Sequence, residues 1–284
     1  MRYFAARRND TAESPIRPDV NQQQAIVGAY SALAASYDEF DWTPVVTRAR
    51  DYVRSCLMRR VGPGQRVLEL NCGGGADAIA FARAGLHVAA FDAVPQMIEI
   101  ARRRAVASGV ADRVQFDVMR NEDVGRHDRR DYAAVFSNFG GLNTTEDLSD
   151  VFATAARLLA PGGWFVVCTL NRHAAWESFS YLVRGQARAA LRRWGIQPKT
   201  VVLGGCEVRV RYDTPREFVH FLPECLKIRE IAGLSICSPP LGSIRFASRF
   251  SGLTNVLCGI DDVIRRVPIL RGLGDHFVVV AQRT

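Results

Sequence analysis

Lysine is nearly missing from these 284 residues: Lys199 and Lys227 stand against 35 arginines. The formal charge is still +8, but the arginines fall in scattered doublets, Arg59-Arg60, Arg129-Arg130, Arg192-Arg193 and Arg265-Arg266. A nucleic-acid surface gathers its cations on one face or stripe. The basic excess therefore reads as solvated helix faces and argues against a nucleic-acid partner. Paired cysteine motifs are missing too. The seven cysteines are odd in number and none forms Cys-x-x-Cys, which argues against a disulfide scaffold and a zinc cluster, so no metal is expected. No apolar run approaches the roughly 20 residues that span a bilayer. The opening Met1-Arg2-Tyr3-Phe4-Ala5-Ala6-Arg7-Arg8 has no apolar core of a secretory leader. The expectation is a cytoplasmic protein without a membrane partner. Hydrophobic residues at 48% and charged residues at 23% fit a globular chain, not a disordered one.

Residues 1–20 are polar, with Pro15 and Pro18, and read as a flexible tail. Ile26, Tyr30, Leu33 and Tyr37 then recur at helical spacing, as do Val46, Ala49, Val53 and Leu57 in a second helix, before the turn Gly62-Pro63-Gly64. From residue 66 strands and helices alternate: strands over 66–70, 87–91, 114–117, 132–137 and 164–170, with helices over 77–84, 94–108, 122–126 and 148–159. Such alternation implies parallel βαβ units and an α/β, doubly wound, Rossmann-like sheet. After Leu170 the alternation breaks. Residues 21–170 read as N-terminal helices plus the core, and 171–222 as a first cap insertion, helical to 198 and then a hairpin turning at Gly204-Gly205. Residues 223–236 read as a core strand, 237–274 as a second cap and 275–284 as the final core strand.

The strongest chemical signal is Val67-Leu68-Glu69-Leu70-Asn71-Cys72-Gly73-Gly74-Gly75-Ala76-Asp77. A strand that ends in a glycine loop and opens a helix lets a ligand approach the backbone closely. Gly73, Gly75 and Ala78 satisfy a relaxed dinucleotide fingerprint, and Asp92 falls where a ribose-binding acid belongs. An NAD- or FAD-linked oxidoreductase is therefore one reading. Four features favour another. Glu69 would repel a pyrophosphate but suits a ligand carrying an ammonium and a sulfonium. Asp92 is followed by Val94-Pro95-Gln96-Met97-Ile98, an apolar lip for an adenine. Leu158-Leu159-Ala160-Pro161-Gly162-Gly163 leads directly into a strand, and more than sixty residues precede the first strand.

On these motifs the stretch from about residue 29 to 170, plus the final strand, resembles the class I S-adenosylmethionine-dependent methyltransferases. The resemblance implies that family's sheet with an antiparallel last strand, and S-adenosylmethionine as cofactor. It implies cofactor roles for Tyr37, Glu69, Asn71, Gly73, Gly75, Asp92, Met97, Asn121 and Asn138. Tyr37 and Met97 read equally well as packing residues, and Asn138 as a turn residue. The chain departs from the family at Asn71, which replaces the loop's usual first glycine. It departs again at Met119-Arg120-Asn121-Glu122-Asp123, where Gly-Asp is common. The adenine amino group then meets Asn121, Glu122 or backbone.

The acceptor is less legible. No Asn-Pro-Pro-Tyr type motif follows the fourth strand, which argues against base and glutamine amino groups. Aromatics in the caps, among them Trp176, Phe179, Tyr181 and Trp194, suit a small apolar acceptor such as a secondary metabolite, methylated on oxygen or nitrogen. His173 and Glu177, one helical turn apart after the fifth strand, are the candidate catalytic pair, with Tyr181 and Arg184 on the same face. His220 is a second candidate base. His87, His127 and His276 read as structural or solvated. Other readings are a non-catalytic methyltransferase-like partner-binding protein and a methyltransferase of RNA or protein. The oligomeric state is open, a homodimer being one option.

Overall fold

Strands form where apolar side chains run on unbroken, which is what a sheet covered on both faces demands. In β5 (Leu159–Leu170), Phe165 and Val167 enter one core cluster while Val166 and Cys168 enter the other. The computed structural model describes residues 20–34, 44–127 and 129–284. Tyr37 lies outside them, as do the residues around it and all of the expected tail but Val20. Among the described residues one seven-stranded sheet has the order β3-β2-β1-β4-β5-β9-β8. Its strands are β1 (Arg66–Leu70), β2 (His87–Asp92), β3 (Val114–Val118), β4 (Tyr132–Ser137), β5, β8 (Leu226–Leu234) and β9 (His276–Arg283). Strands β1 to β5 pair in parallel, and β9 lies antiparallel between β5 and β8.

Helices α2 (Pro44–Met58), α3 (Ala76–Arg83) and α4 (Pro95–Ala107) cover one face. The expected stripe Val46, Ala49, Val53 and Leu57 is the buried side of α2. Helix α5 (Leu148–Leu158) covers the other face, where Phe152, Phe165, Phe218 and Phe277 pack edge to face. The side chain of Asp147 caps α5 by accepting the N–H of Asp150 at 3.0 Å.

A third cluster joins α1 (Val20–Leu33) to the hairpin β6 (Lys199–Leu203) and β7 (Cys206–Val210), through Ile26, Ala29, Leu203, Val208 and Val210 with Leu170. The hairpin turns at Gly204-Gly205 as expected, both with positive φ. A side chain at Gly204 would strike the backbone of Ala29, so glycine there lets α1 sit directly on the turn. The expected helix over 171–198 is interrupted. Only α6 (Ala175–Val183) and α7 (Ala187–Ala190) form, with Gly185 in the left-handed region between them. After it come α8 (Pro215–Phe218), and, beyond β8, α9 (Ile244–Arg249) and α10 (Ser251–Ile264). Among the described residues no helix is long and apolar enough to cross a membrane.

Candidate active site

The loop after β1 turns through Asn71 (φ 58°), Gly73 (φ 51°) and Gly75 (φ 77°). Asparagine is among the few side chains that accept this left-handed backbone, which accounts for Asn71 where the family usually has glycine. A compensating glycine stands opposite: a Cβ on Gly141 would collide with Cβ of Asn71. The carboxylate of Asp92, at the end of β2, accepts the N–H of Gly73 at 2.9 Å and that of Val94 at 3.0 Å. Burial pushes its carboxyl up, against the pull of these donors.

A small cavity of about 80 Å³ opens here. It is lined by Asn71, Gly73, Asp92, Met97, Asn121 and Asn138, so six of the residues singled out in the sequence come together. Asn121 donates to Thr145 Oγ1 at 2.7 Å, and Asn138 donates to Asp77 Oδ2 at 3.1 Å. Gly75 and Glu69 are not among the lining residues. A Cβ on Gly75 would crowd Ala101 and Phe116, so its smallness serves the packing of the loop on α4 and β3. Glu69 is buried beneath the loop with Oε2 unpartnered.

Below the loop, Asp77 takes Arg50 Nη1 at 2.7 Å and Arg54 Nε at 2.6 Å. Burial alone would raise its carboxyl, but the two guanidinium groups outweigh that and hold it below the usual carboxylate range. Glu69 moves the other way, pushed well up by burial and by the Asp77 charge. A group whose folded-state value is raised costs stability as pH climbs above its unfolded value, about 4.3 for Glu. Glu69→Gln should therefore unfold at a higher temperature than the parent at pH 8, with a smaller gap at pH 5. Thermal scans of the cofactor-free protein check this; a variant less stable at both pH values contradicts it.

A larger cavity of about 300 Å³ adjoins the first, since Tyr30, Phe139 and Thr144 line both. Leu33, Leu170, Val201, Leu203, Val210 and Leu241 form its apolar walls. The sequence expectation for its polar groups needs correcting. Helix α6 begins only at Ala175, so His173 and Glu177 do not share a helical face. The His173 ring lies tilted against Trp194 with centroids 4.4 Å apart and does not line the cavity. Glu177 does line it, but its Oε1 accepts from Arg192 and its Oε2 from both Arg192 and Arg193, all at 2.7 Å. His220 is exposed and lines neither cavity.

His276, read from the sequence as structural, lines the larger cavity instead. It opens β9, and its register partners are Leu170 and Leu234. An antiparallel strand starts where its parallel neighbour ends, so β9 begins at the ligand-binding edge of the sheet. His276 Nδ1 lies 3.0 Å from Asp275 Oδ2, and Asp275 Oδ1 accepts from Arg193 at 2.8 Å. Burial opposes charge on Asp275, yet Arg193 and His276 hold its carboxyl well below the ordinary range. An ionised carboxylate can only accept, so Nδ1 carries the proton and a neutral ring is left with Nε2 as acceptor. The ring packs edge-on against Phe139, centroids 5.8 Å apart, at the junction of the two cavities.

A family model described as a methyltransferase domain matches residues 67–163. A ubiquinone biosynthesis O-methyltransferase of Bordetella avium (strain 197N) is 32% identical over 180 residues, 62% of this chain and 72% of that one. The chain belongs to the class I S-adenosylmethionine-dependent methyltransferases. This methyltransferase resembles a geranyl diphosphate methyltransferase solved with S-adenosylmethionine, at TM-score 0.53 and 20% identity over 83% of this chain and 84% of that one. It also resembles the [4+2]-cyclase SpnF, at TM-score 0.61 and 15% identity over 95% and 97% of the two chains. At such identities the likeness concerns the fold. The methyltransferase uses S-adenosylmethionine as its cofactor.

Proposed function

We propose that this methyltransferase methylates a hydroxyl oxygen on a small, largely apolar metabolite held in the larger cavity, with His276 as general base. The observation that carries the reading is the Asp275–His276 pair lining the larger cavity, its ring packed against Phe139, which lines both cavities. The O-methyltransferase named among its relatives supports the choice of oxygen.

The residues of the smaller cavity fit the cofactor. Asp92 offers a carboxylate to ribose hydroxyls, Met97 an apolar surface to adenine, and the open glycine loop its backbone. Glu69 lies buried behind that loop with one oxygen unpartnered, and an ammonium held at the loop would draw its carboxyl back toward the charged form. At about 80 Å³ the space is smaller than a nucleoside, so a wall gives way on binding, and Gln23, Ile26 and Tyr30 of α1 form the wall that belongs to neither sheet nor loop. S-adenosylmethionine, when bound, supplies a methyl on a positive sulfur whose departure needs no acid. The chain's own work is alignment, exclusion of water and removal of one proton. Nε2 of His276 takes the proton that the acceptor hydroxyl must lose, Asp275 stabilises the imidazolium so formed, and Phe139 walls the reacting atoms from solvent.

Two measurements test this. Asp92→Ala should weaken cofactor affinity by about 1–3 kcal/mol, the worth of hydrogen bonds to a charged group; an unchanged Kd in calorimetry contradicts the ribose role. Turnover on a panel of phenols, catechols and primary amines, read by mass spectrometry and NMR of the product, should yield methoxy groups. Methylation only of amines would overturn the oxygen-directed reading.

A further inference from the structure

The cap reaches the base through one buried side chain. Arg193 is 6% exposed, and its Nη2 donates to Glu177 Oε2 at 2.7 Å and to Asp275 Oδ1 at 2.8 Å. Its Nη1 donates to the carbonyl of Asn171 at 3.1 Å, and its guanidinium lies over the Tyr212 ring, 5.0 Å from the centroid. Glu177 belongs to α6, Arg193 follows α7, Asp275 precedes β9 and His276 opens it. A chain of four charged or titratable groups thus runs from the cap to the sheet edge.

We infer that Arg193 is a positioning residue for His276, holding the outer oxygen of Asp275 so that the inner one fixes the imidazole, and that Glu177 anchors Arg193 in that place. Glu177 then acts as the far end of the relay. The inference rests on the proposed role of His276, but its physical content does not depend on turnover. Nη1 also donates to the backbone carbonyl of Asp275 at 3.3 Å, so the guanidinium grips that residue at main chain and side chain and restricts rotation of its carboxylate through a charge-assisted bond. Without Arg193, Asp275 is left to pair with the ring alone and swings between its two oxygens. Burial works against the charge of Asp275, and the pairing with Arg193 reverses this. The groups that face this relay from neighbouring elements are Arg192 and Tyr212, which touch it, and Tyr30, Tyr181 and Arg184, which line the same cavity. Cys168 of β5 also feels the Asp275 charge.

The experiment reads the imidazole itself. The full-length protein, saturated with S-adenosylhomocysteine, is labelled with ¹⁵N-histidine, and the His276 ring signals are assigned with His276→Gln and followed against pH. Arg193→Met removes a positive neighbour and frees Asp275 for the ring, so the His276 midpoint should rise by about one pH unit, the scale of one close charge. Glu177→Gln removes the negative charge but keeps an amide oxygen that can accept from Arg193, so Arg193 stays on Asp275 and the midpoint should fall. Opposite signs show that both groups hold their charges in place beside the Asp275–His276 pair, because general loosening of the cap would move both variants the same way. Unmoved signals, or shifts of one sign, overturn the inference. Should Arg193→Met not fold, Glu177→Gln decides alone: a fall supports the inference, and a rise or no change overturns it. Loss of the base reading shows elsewhere, as undiminished turnover in His276→Gln.

Discussion

His276→Gln should lower kcat toward a hydroxyl acceptor about 100-fold or more, the usual worth of a placed general base, while the Kd for S-adenosylmethionine stays as in the parent. Glutamine fills similar space and offers hydrogen bonds, but it cannot take up a proton. Asp275→Asn should act in the same direction for a different reason. An amide can donate to Nδ1, which turns Nε2 into a donor and leaves the acceptor hydroxyl facing the wrong tautomer. A near-parental kcat in His276→Gln on an acceptor methylated at oxygen would remove the base assignment. A loss confined to KM would make His276 a binding group only.

The smaller cavity was legible because its loop is written in consecutive residues. A loop such as Asn71-Cys72-Gly73-Gly74-Gly75 has few conformations open to it, and the acid that closes the next strand must lie beside it in a parallel sheet. The structure accordingly brings Gly73 and Asp92 to 2.9 Å. The larger cavity is less legible because it depends on contacts far apart in the chain. Glu177 and Arg193 meet over a break in the helix at Gly185, which a helical spacing rule cannot foresee. The position of His276 follows from topology. An antiparallel last strand was expected, and such a strand must begin where its parallel neighbours end. Topology therefore already placed Asp275-His276 at the ligand edge. The cap's helices and hairpin are poorly specified by sequence for a related reason: their apolar residues face one another or the cavity, and short segments of this kind carry no clear period.

Removing the charge of Asp77 should cost more stability than any other single change considered. Asp77→Asn leaves the guanidinium groups of Arg50 and Arg54 facing a neutral amide where each had an ion pair at 2.6–2.7 Å. Arg50 is 8% exposed, so water cannot replace the lost partner. Breaking one side of a buried pair typically costs about 3–5 kcal/mol, because the desolvated charge remains. The measure is the urea midpoint of the cofactor-free protein, with the slope checked for constancy. The pH dependence carries its own sign. The folded-state value of Asp77 is depressed, so its contribution is present above the unfolded value, about 3.9, and is lost as pH falls toward the folded one. The stability gap between parent and variant should be constant near neutrality and should close in acid. The same substitution reaches the smaller cavity, since the amide of Asn138 donates to Asp77 Oδ2 and its own oxygen accepts the N–H of Phe139 at 2.9 Å. An unfolding cost below about 1 kcal/mol, the range of exposed pairs, would show that water or a rearranged Glu69 takes over both arginines, and that the buried network under the glycine loop is not what fixes it.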